Sequence, residues 1–375
     1  MTHQTLSLSA GVDEGPNTYE FHTADGVDSP GAFRTAELVL LRAVHDSDPG
    51  DHLAVEANYG VVGIGLAPSA DSVRMVESSA RRATLCRRNG RENDTAARTT
   101  IAVDLSRICG SYDTASYAPR SHTPIPVGKQ RIADALEALQ PGGRLFVAAS
   151  RETGRSRYAD CLEAITDSVQ TIRSTGDWDV LVAERPTAFE RPQYVTPTPF
   201  ESTVAGVDLS LVFIPGMFAA GTVDDGTRLL AETATVADGD RGLDLCCGAG
   251  PLGIYAARAA DCTVTLTDDS RVATRAAACS VRRSGVTETA TVLTADGTTG
   301  VSSERFDTVL CNPPTHGGSG VLSDVLAGAR RVLARSGRLY VVHHAALDLG
   351  PHLRGFGTVE KVAASDEHVV LRATQ

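Results

Sequence analysis

Residues 243–253 read LDLCCGAGPLG: an apolar run carrying one carboxylate, Asp244, then glycines at 248 and 250, then Pro251 at the head of another apolar segment. The run predicts a strand and the glycines a tight turn. Pro251 suits the first turn of a helix, where its fixed φ helps and its missing N–H is not needed. Glycine lets a ligand approach the backbone, and a helix start offers free N–H groups to it.

Outward from this unit the pattern repeats. RGLDLCC (241–247), TVTLTD (263–268), ATVLTAD (290–296), FDTVLCN (306–312) and GRLYVVHH (337–344) read as strands. Residues 252–260, 270–285 and 319–337 between them carry apolar side chains at helical spacing. Strand and helix in alternation imply right-handed βαβ crossovers and a mostly parallel sheet covered on both faces. Ligands of such sheets sit beyond the carboxyl ends of the strands.

The same order is present once more, earlier in the chain. SPGAF (29–33) matches IPGMF (214–218) at an offset of 185. LAVEANYG ending at Gly60 lines up with RGLDLCCG ending at Gly248, which sets Glu56 on Asp244 at an offset of 188. RMVESSARRATLCRRNG resembles TLTDDSRVATRAAACSVRRSG, with Glu77 on Asp268 at 191. YDTASYAPRSHTP matches FDTVLCNPPTHGG, and GGRLFVAAS matches SGRLYVVHH, both at 194. Matches in register with a slowly growing offset indicate a duplication. The proline-bearing stretch 184–200 marks the join, so the expected domains are 1–185 and 205–375, with a linker over 186–204.

The composition fits two soluble domains. The chain has 375 residues and a formal net charge of −11, and no stretch approaches the roughly 20 apolar residues that span a bilayer. The N-terminus shows no basic region followed by an apolar core, so a cytoplasmic location is expected. Eight scattered cysteines lack C-x-x-C or His spacing, which argues for free thiols and no metal site. Lys129 and Lys361 are the only lysines. An acidic, Lys-poor surface is typical of salt-loving archaea, and a haloarchaeal source is expected. Negative charge ordinarily disfavours nucleic-acid partners. Concentrated salt weakens that objection, because counterion release then supplies little affinity and stacking and hydrogen bonds must serve.

GAGPLG is formally G-x-G-x-x-G, and Asp268 ends the next strand as a ribose-hydroxyl acceptor would, so a nicotinamide site competes. Against it stands Asp244, a carboxylate within the strand before the turn, as S-adenosylmethionine sites have. Asp296, after the third strand, is placed to meet the adenine amino group. CNPPTHGG (311–318) falls at the carboxyl end of the fourth strand, on the same rim. Methyl transfer needs in-line approach more than acid–base help. Asn312 offers a side-chain carbonyl and Pro313 a main-chain one to the two hydrogens of an exocyclic amine, while Pro313 and Pro314 stiffen the loop. An aromatic next in line would stack on a base, but Thr315 stands there.

With these motifs the second copy resembles the class I S-adenosylmethionine-dependent ribosomal RNA guanine-N2 methyltransferases of the RsmC and RlmG group. IPGMF, VDDGTRLL, LDLCCGAG, LTDDS, FDTVLCNPPTHGG and the C-terminal tail carry the likeness. It implies two tandem Rossmann-like domains with seven-stranded, mostly parallel sheets, the first degenerate and the second catalytic. It implies cofactor contacts at Asp244, Gly248, Gly250, Asp268 and Asp296, and substrate-amine contacts at Asn312 and Pro313. Thr315, His316 and Phe218 are expected around the substrate, Phe218 either over the site or in the core. The sequence departs from the family at Cys246, usually Gly; at Thr315, usually Phe; and at His343 and His344, for which a structural role is expected. In the first copy Ala118 replaces the catalytic Asn, and surviving Glu56 and Glu77 leave room for a vestigial pocket. The arginines at 81, 82, 87, 88 and 91 there form either a solvated helix face or an RNA-contacting surface. The expected activity is methyl transfer to guanine N2 of ribosomal RNA, free or in a small ribosomal subunit, by a monomer. The alternatives are an amine methyltransferase acting on adenine N6 or protein glutamine, and a non-catalytic RNA-binding or assembly protein.

Overall fold

The computed structural model describes residues 4–10, 15–105, 108, 110–218, 221–315 and 317–375. It divides into two compact units, one ending at Thr196 and one running Pro197–Gln375. In the first, the hairpin β1 (Gln4–Ser9) and β2 (Thr18–Thr23) precedes α1 (Thr35–His45), β3 (Asp51–Val55), α2 (Val61–Leu66), β4 (Ser72–Glu77), α3 (Ala80–Glu92) and β5 (Arg98–Ile101). There follow β6 (Tyr112–Tyr117), α4 (Ile125–Ala138), β7 (Leu139–Ser150), α5 (Arg155–Ile165), β8 (Val169–Thr175) and β9 (Trp178–Glu184).

The second unit repeats this plan. It opens with the hairpin β10 (Thr198–Val204) and β11 (Val207–Phe213), then α6 (Asp225–Thr233), β12 (Arg241–Leu245), α7 (Pro251–Ala259), β13 (Thr263–Asp268), α8 (Arg271–Arg283) and β14 (Ala290–Thr294). β15 (Phe306–Cys311), α9 (Ser319–Val332), β16 (Leu333–His344), α10 (Gly350–Leu353), β17 (Thr358–Ala364) and β18 (His368–Thr374) complete it.

The two seven-stranded sheets run β5-β4-β3-β6-β7-β9-β8 and β14-β13-β12-β15-β16-β18-β17. In the second, β14 to β16 are parallel, and β18 pairs antiparallel with both β16 and β17. Each sheet carries an apolar cluster on either face, as expected of parallel strands buried on both sides. The expected Rossmann-like tandem is therefore present, and the five strands read from the second copy are β12 to β16.

Two boundaries differ from expectation. The stretch 186–204 is not all linker, because its last seven residues form β10. The apolar spacing over 319–337 predicts one helix, yet α9 stops at Val332 and the chain continues as β16. A side chain at Gly337 would lie 2.8 Å from the Phe306 carbonyl, so the backbone here is pressed against β15 and not coiled away from it. No helix among the described residues is long and apolar enough to cross a membrane.

Candidate active site

The chemistry-bearing residues of the second unit sit at the carboxyl rim of its sheet. Asp244, in β12, is 1% exposed. Its Oδ2 accepts the Gly253 amide at 2.7 Å, while Oδ1 is buried and has no partner among the described residues. Burial pushes this carboxyl up to about 7; the Gly253 N–H opposes the shift and Asp268 adds to it. Asp268, at the tip of β13, accepts from the Gly248 amide at 2.9 Å and the Ser270 amide at 2.8 Å, and burial raises it to about 6. The Ala295 amide donates to the Asp268 carbonyl at 2.9 Å, which ties the half-buried Asp296 turn to the same rim.

The two glycines of the turn do different work. Gly248 has φ +55°, and a Cβ there would meet nothing within 4 Å, so its face is open to a ligand. Gly250 has φ +88° and donates its amide to the Cys247 carbonyl at 2.8 Å; a Cβ there would lie 2.8 Å from Leu266 Cδ2. Gly250 thus lets α7 pack on β13, a constraint separate from the cofactor contact expected of its backbone. Cys246 adopts φ +66°, a conformation glycine holds more easily, and a hydrogen bond between its free thiol and that of Cys311, together with burial, raises its pKa.

At the tip of β15, Asn312 is half-buried, Pro313 buried, Pro314 exposed and Thr315 half-buried. Asn312 Nδ2 donates to Asp224 Oδ1 at 3.2 Å and to Thr227 Oγ1 at 2.9 Å. Both partners belong to the start of α6, where Asp224 caps the helix through the Thr227 amide at 3.0 Å. With both amide hydrogens engaged, Asn312 Oδ1 has no donor among the described residues. Sequence reading assigned no role to Asp224 or Thr227; the only signal was D-x-x-T ahead of an apolar run, which also describes an ordinary helix cap.

Phe218 is 77% exposed, so it is not a core residue. His316 lies outside the described residues. His343 is buried with Nδ1 against the His344 carbonyl at 2.9 Å, and His344 Nδ1 accepts the Ala346 amide at 3.1 Å, both serving the turn after β16.

The first unit keeps the geometry of the turn and fills the space beside it with side chains. Its turn is superimposable by contacts: the Ala57 amide donates to Val76 O as Cys247 does to Thr267 O, and the Asn58 amide donates to Glu77 Oε1 as Gly248 does to Asp268. The residues with positive φ, Glu56 and Asn58, therefore match Cys246 and Gly248, and Gly60 matches Gly250. This corrects the alignment of Glu56 with Asp244, whose counterpart is Ala54. The vestigial pocket is filled. Arg120, where the second copy has Pro314, sends Nη1 to Glu56 at 2.9 Å, Nη2 to Glu77 at 3.0 Å and Nε to Asp28. Arg131 Nε takes the other Glu56 oxygen at 3.0 Å. Burial alone would raise the Glu56 carboxyl, but Arg131 and Arg120 hold it down at about 2. The helix-α3 arginines do not form one surface: Arg81 is buried on the Asp25 carbonyl at 2.6 Å and Arg82 pairs with Asp28 at 3.3 Å, while Arg87 and Arg91 are exposed.

Each sheet, with its fifth parallel strand followed by a reversed one inserted before the edge, has the architecture of a methyltransferase domain. The chain belongs to the methyltransferase small domain family, whose model matches residues 18–182 and again 208–372. It is 28% identical over 367 residues to the ribosomal RNA large subunit methyltransferase G of Pseudomonas putida (strain GB-1), covering 91% of this chain and 93% of that one. It is 30% identical over 195 residues to the ribosomal RNA small subunit methyltransferase C of Pseudoalteromonas atlantica, covering 51% and 55%. Among solved structures, the T. thermophilus 16S rRNA N2 methyltransferase RsmC, in complex with AdoMet and guanosine, aligns with a TM-score of 0.81 at 22% identity, over 99% of this chain and 98% of that one. That likeness is one of fold.

Proposed function

We propose that the second copy transfers a methyl group from S-adenosylmethionine to an exocyclic amine, the guanine N2 of ribosomal RNA. The carrying observation is Asn312, whose amide nitrogen is engaged by Asp224 and Thr227, so that its carbonyl oxygen faces away from α6 as a free acceptor. Asn312 Oδ1 and the Pro313 carbonyl would accept the two amine hydrogens and turn the nitrogen lone pair toward the methyl donor.

The rim suits the cofactor. The buried, unpartnered Asp244 Oδ1 fits a ligand that brings a donor and a positive charge, and the open face of Gly248 admits close approach. Asp268 would take the ribose hydroxyls and Asp296 the adenine amino group. When bound, the cofactor supplies an electrophilic methyl on a sulfonium. Asn312 and Pro313 orient the amine, Pro314 stiffens their loop, and Thr315 and Phe218 border the base. The named activity of the relatives on ribosomal RNA supports the substrate. We read the protein as a cytoplasmic monomer, and small-subunit RNA as the first substrate to assay.

The test is incubation with labelled S-adenosylmethionine and unmethylated ribosomal RNA at several salt concentrations, followed by nucleoside mass spectrometry. N2-methylguanosine is expected, and Asn312→Ala should cut kcat by about 100-fold, the scale of losing one transition-state hydrogen bond. N6-methyladenosine, or no product at any salt concentration, overturns the reading.

A further inference from the structure

An asparagine amide can turn over and exchange its acceptor for its donor. In the second unit it cannot do so without loss. The turned amide would set Oδ1 against Asp224 Oδ1, now 3.2 Å from Nδ2, and against Thr227 Oγ1, now 2.9 Å away. The Thr227 hydroxyl has already given its hydrogen to Asp224 Oδ2 at 2.7 Å, so both neighbours are acceptors. Thr227 is 4% exposed and Asp224 is fixed as the cap of α6, so neither drifts away to relieve the repulsion.

We infer that Asp224 and Thr227 are positioning residues that lock Asn312 with its acceptor outward and polarise its carbonyl, so that the site selects a substrate that donates hydrogens, an amine, over one that offers a carbonyl or ring nitrogen. The inference rests on the amine reading above. An amine that attacks a sulfonium becomes positively charged, and a carbonyl whose N–H side faces a carboxylate is the better acceptor for its hydrogens. The first copy supplies the contrast. At the matching helix start, Arg34 donates to the Ala118 carbonyl at 3.4 Å and the Pro119 carbonyl at 3.2 Å. There the helix end consumes the acceptors of the loop after the fourth strand; in the second copy it consumes a donor and leaves the acceptor.

Thr227→Val removes the hydroxyl at nearly constant volume, and Asp224→Asn keeps a good helix cap while removing the charge. Each should lower kcat by about 10-fold or more, the scale of a charge-linked hydrogen bond, with KM for RNA and cofactor affinity within twofold of wild type, and Thr227→Ser should restore kcat. A second readout needs neither substrate nor cofactor. In protein labelled with ¹⁵N at asparagine side chains, the Asn312 amide pair, assigned by its loss in Asn312→Ala, should shift in Thr227→Val and return in Thr227→Ser. Wild-type kcat in both variants, an equal rise in KM, or an unmoved amide pair overturns the inference. Absence of any methyl transfer by the wild type overturns the proposed function instead, and the amide pair still decides whether Asn312 is locked.

Discussion

Nη2 of Arg120 lies 3.0 Å from Oε1 of Glu77, a carboxylate with no exposed surface at the tip of β4. The same guanidinium reaches Glu56 and Asp28, where Arg131 and Arg82 assist it, so Arg120 is the cation common to all three carboxylates of the first copy's pocket. Removing one partner of such a buried set leaves the others uncompensated and costs about 3–5 kcal/mol. Arg120→Ala is expected to lower the unfolding free energy of the first unit by that amount in urea titration. Arg120→Lys should recover only part of it, because an ammonium cannot span three carboxylates as a planar guanidinium does. Wild-type stability in Arg120→Ala would contradict this account.

Asp244 makes the second unit sensitive to pH. Its folded pKa, about 7, is raised above the ordinary 3.8, so the folded state holds the proton more tightly than the unfolded state. The stabilisation is complete below the unfolded value and is lost as pH rises through the folded one. Asp244→Asn should flatten the fall in stability between about pH 4 and pH 8 and raise stability at the upper end, while weakening cofactor binding. Parallel urea midpoints for wild type and variant across that range would count against it.

Alanine at the two turn glycines should separate binding from folding. Either substitution strains a left-handed residue by roughly 1–2 kcal/mol. At Gly248 the new methyl enters open space, so cofactor affinity, measured by calorimetry, should drop about 10-fold or more with a stability loss of that size only. At Gly250 the methyl meets Leu266 at 2.8 Å, and the stability loss should be the larger of the two. The reverse ranking would show that Gly250 faces the ligand.

Phe218 is exposed, and the loop after the fourth strand offers Thr315 and no aromatic ring. If it closes over the base, Phe218→Ala should raise KM for RNA by about 10-fold, in line with roughly 1–3 kcal/mol per stacked base, and leave the unfolding midpoint unchanged. An unaltered KM would assign the stacking to another group.

Strand and helix order, the glycine turn and the loop after the fourth strand were legible because they are local patterns of period and turn chemistry. The register of the duplication was not. LAVEANYG and RGLDLCCG match best by side-chain type with Glu56 on Asp244, but the backbone sets the register through positive φ at Glu56 and Cys246, which L residues seldom adopt and composition does not signal. The filling of the first pocket was hidden for another reason. Arg120 occupies a loop position that reads as solvated, and its partners at 28, 56 and 77 are distant in sequence. Asp224 and Thr227 were unread because a helix cap and an asparagine clamp have the same spacing.

Arg120 also governs which evolutionary routes remain open to the first copy. Replacing it with proline, as in the second copy, would remove the guanidinium that joins Glu77 to Glu56 and Asp28, leaving these last two to Arg131 and Arg82. Restoring asparagine at 118 would leave the Pro119 carbonyl tied to Arg34 and the pocket full. Each single replacement leaves the pocket either destabilised or still occupied, so the filling of the first copy acts as a ratchet, with a buried guanidinium as its pawl.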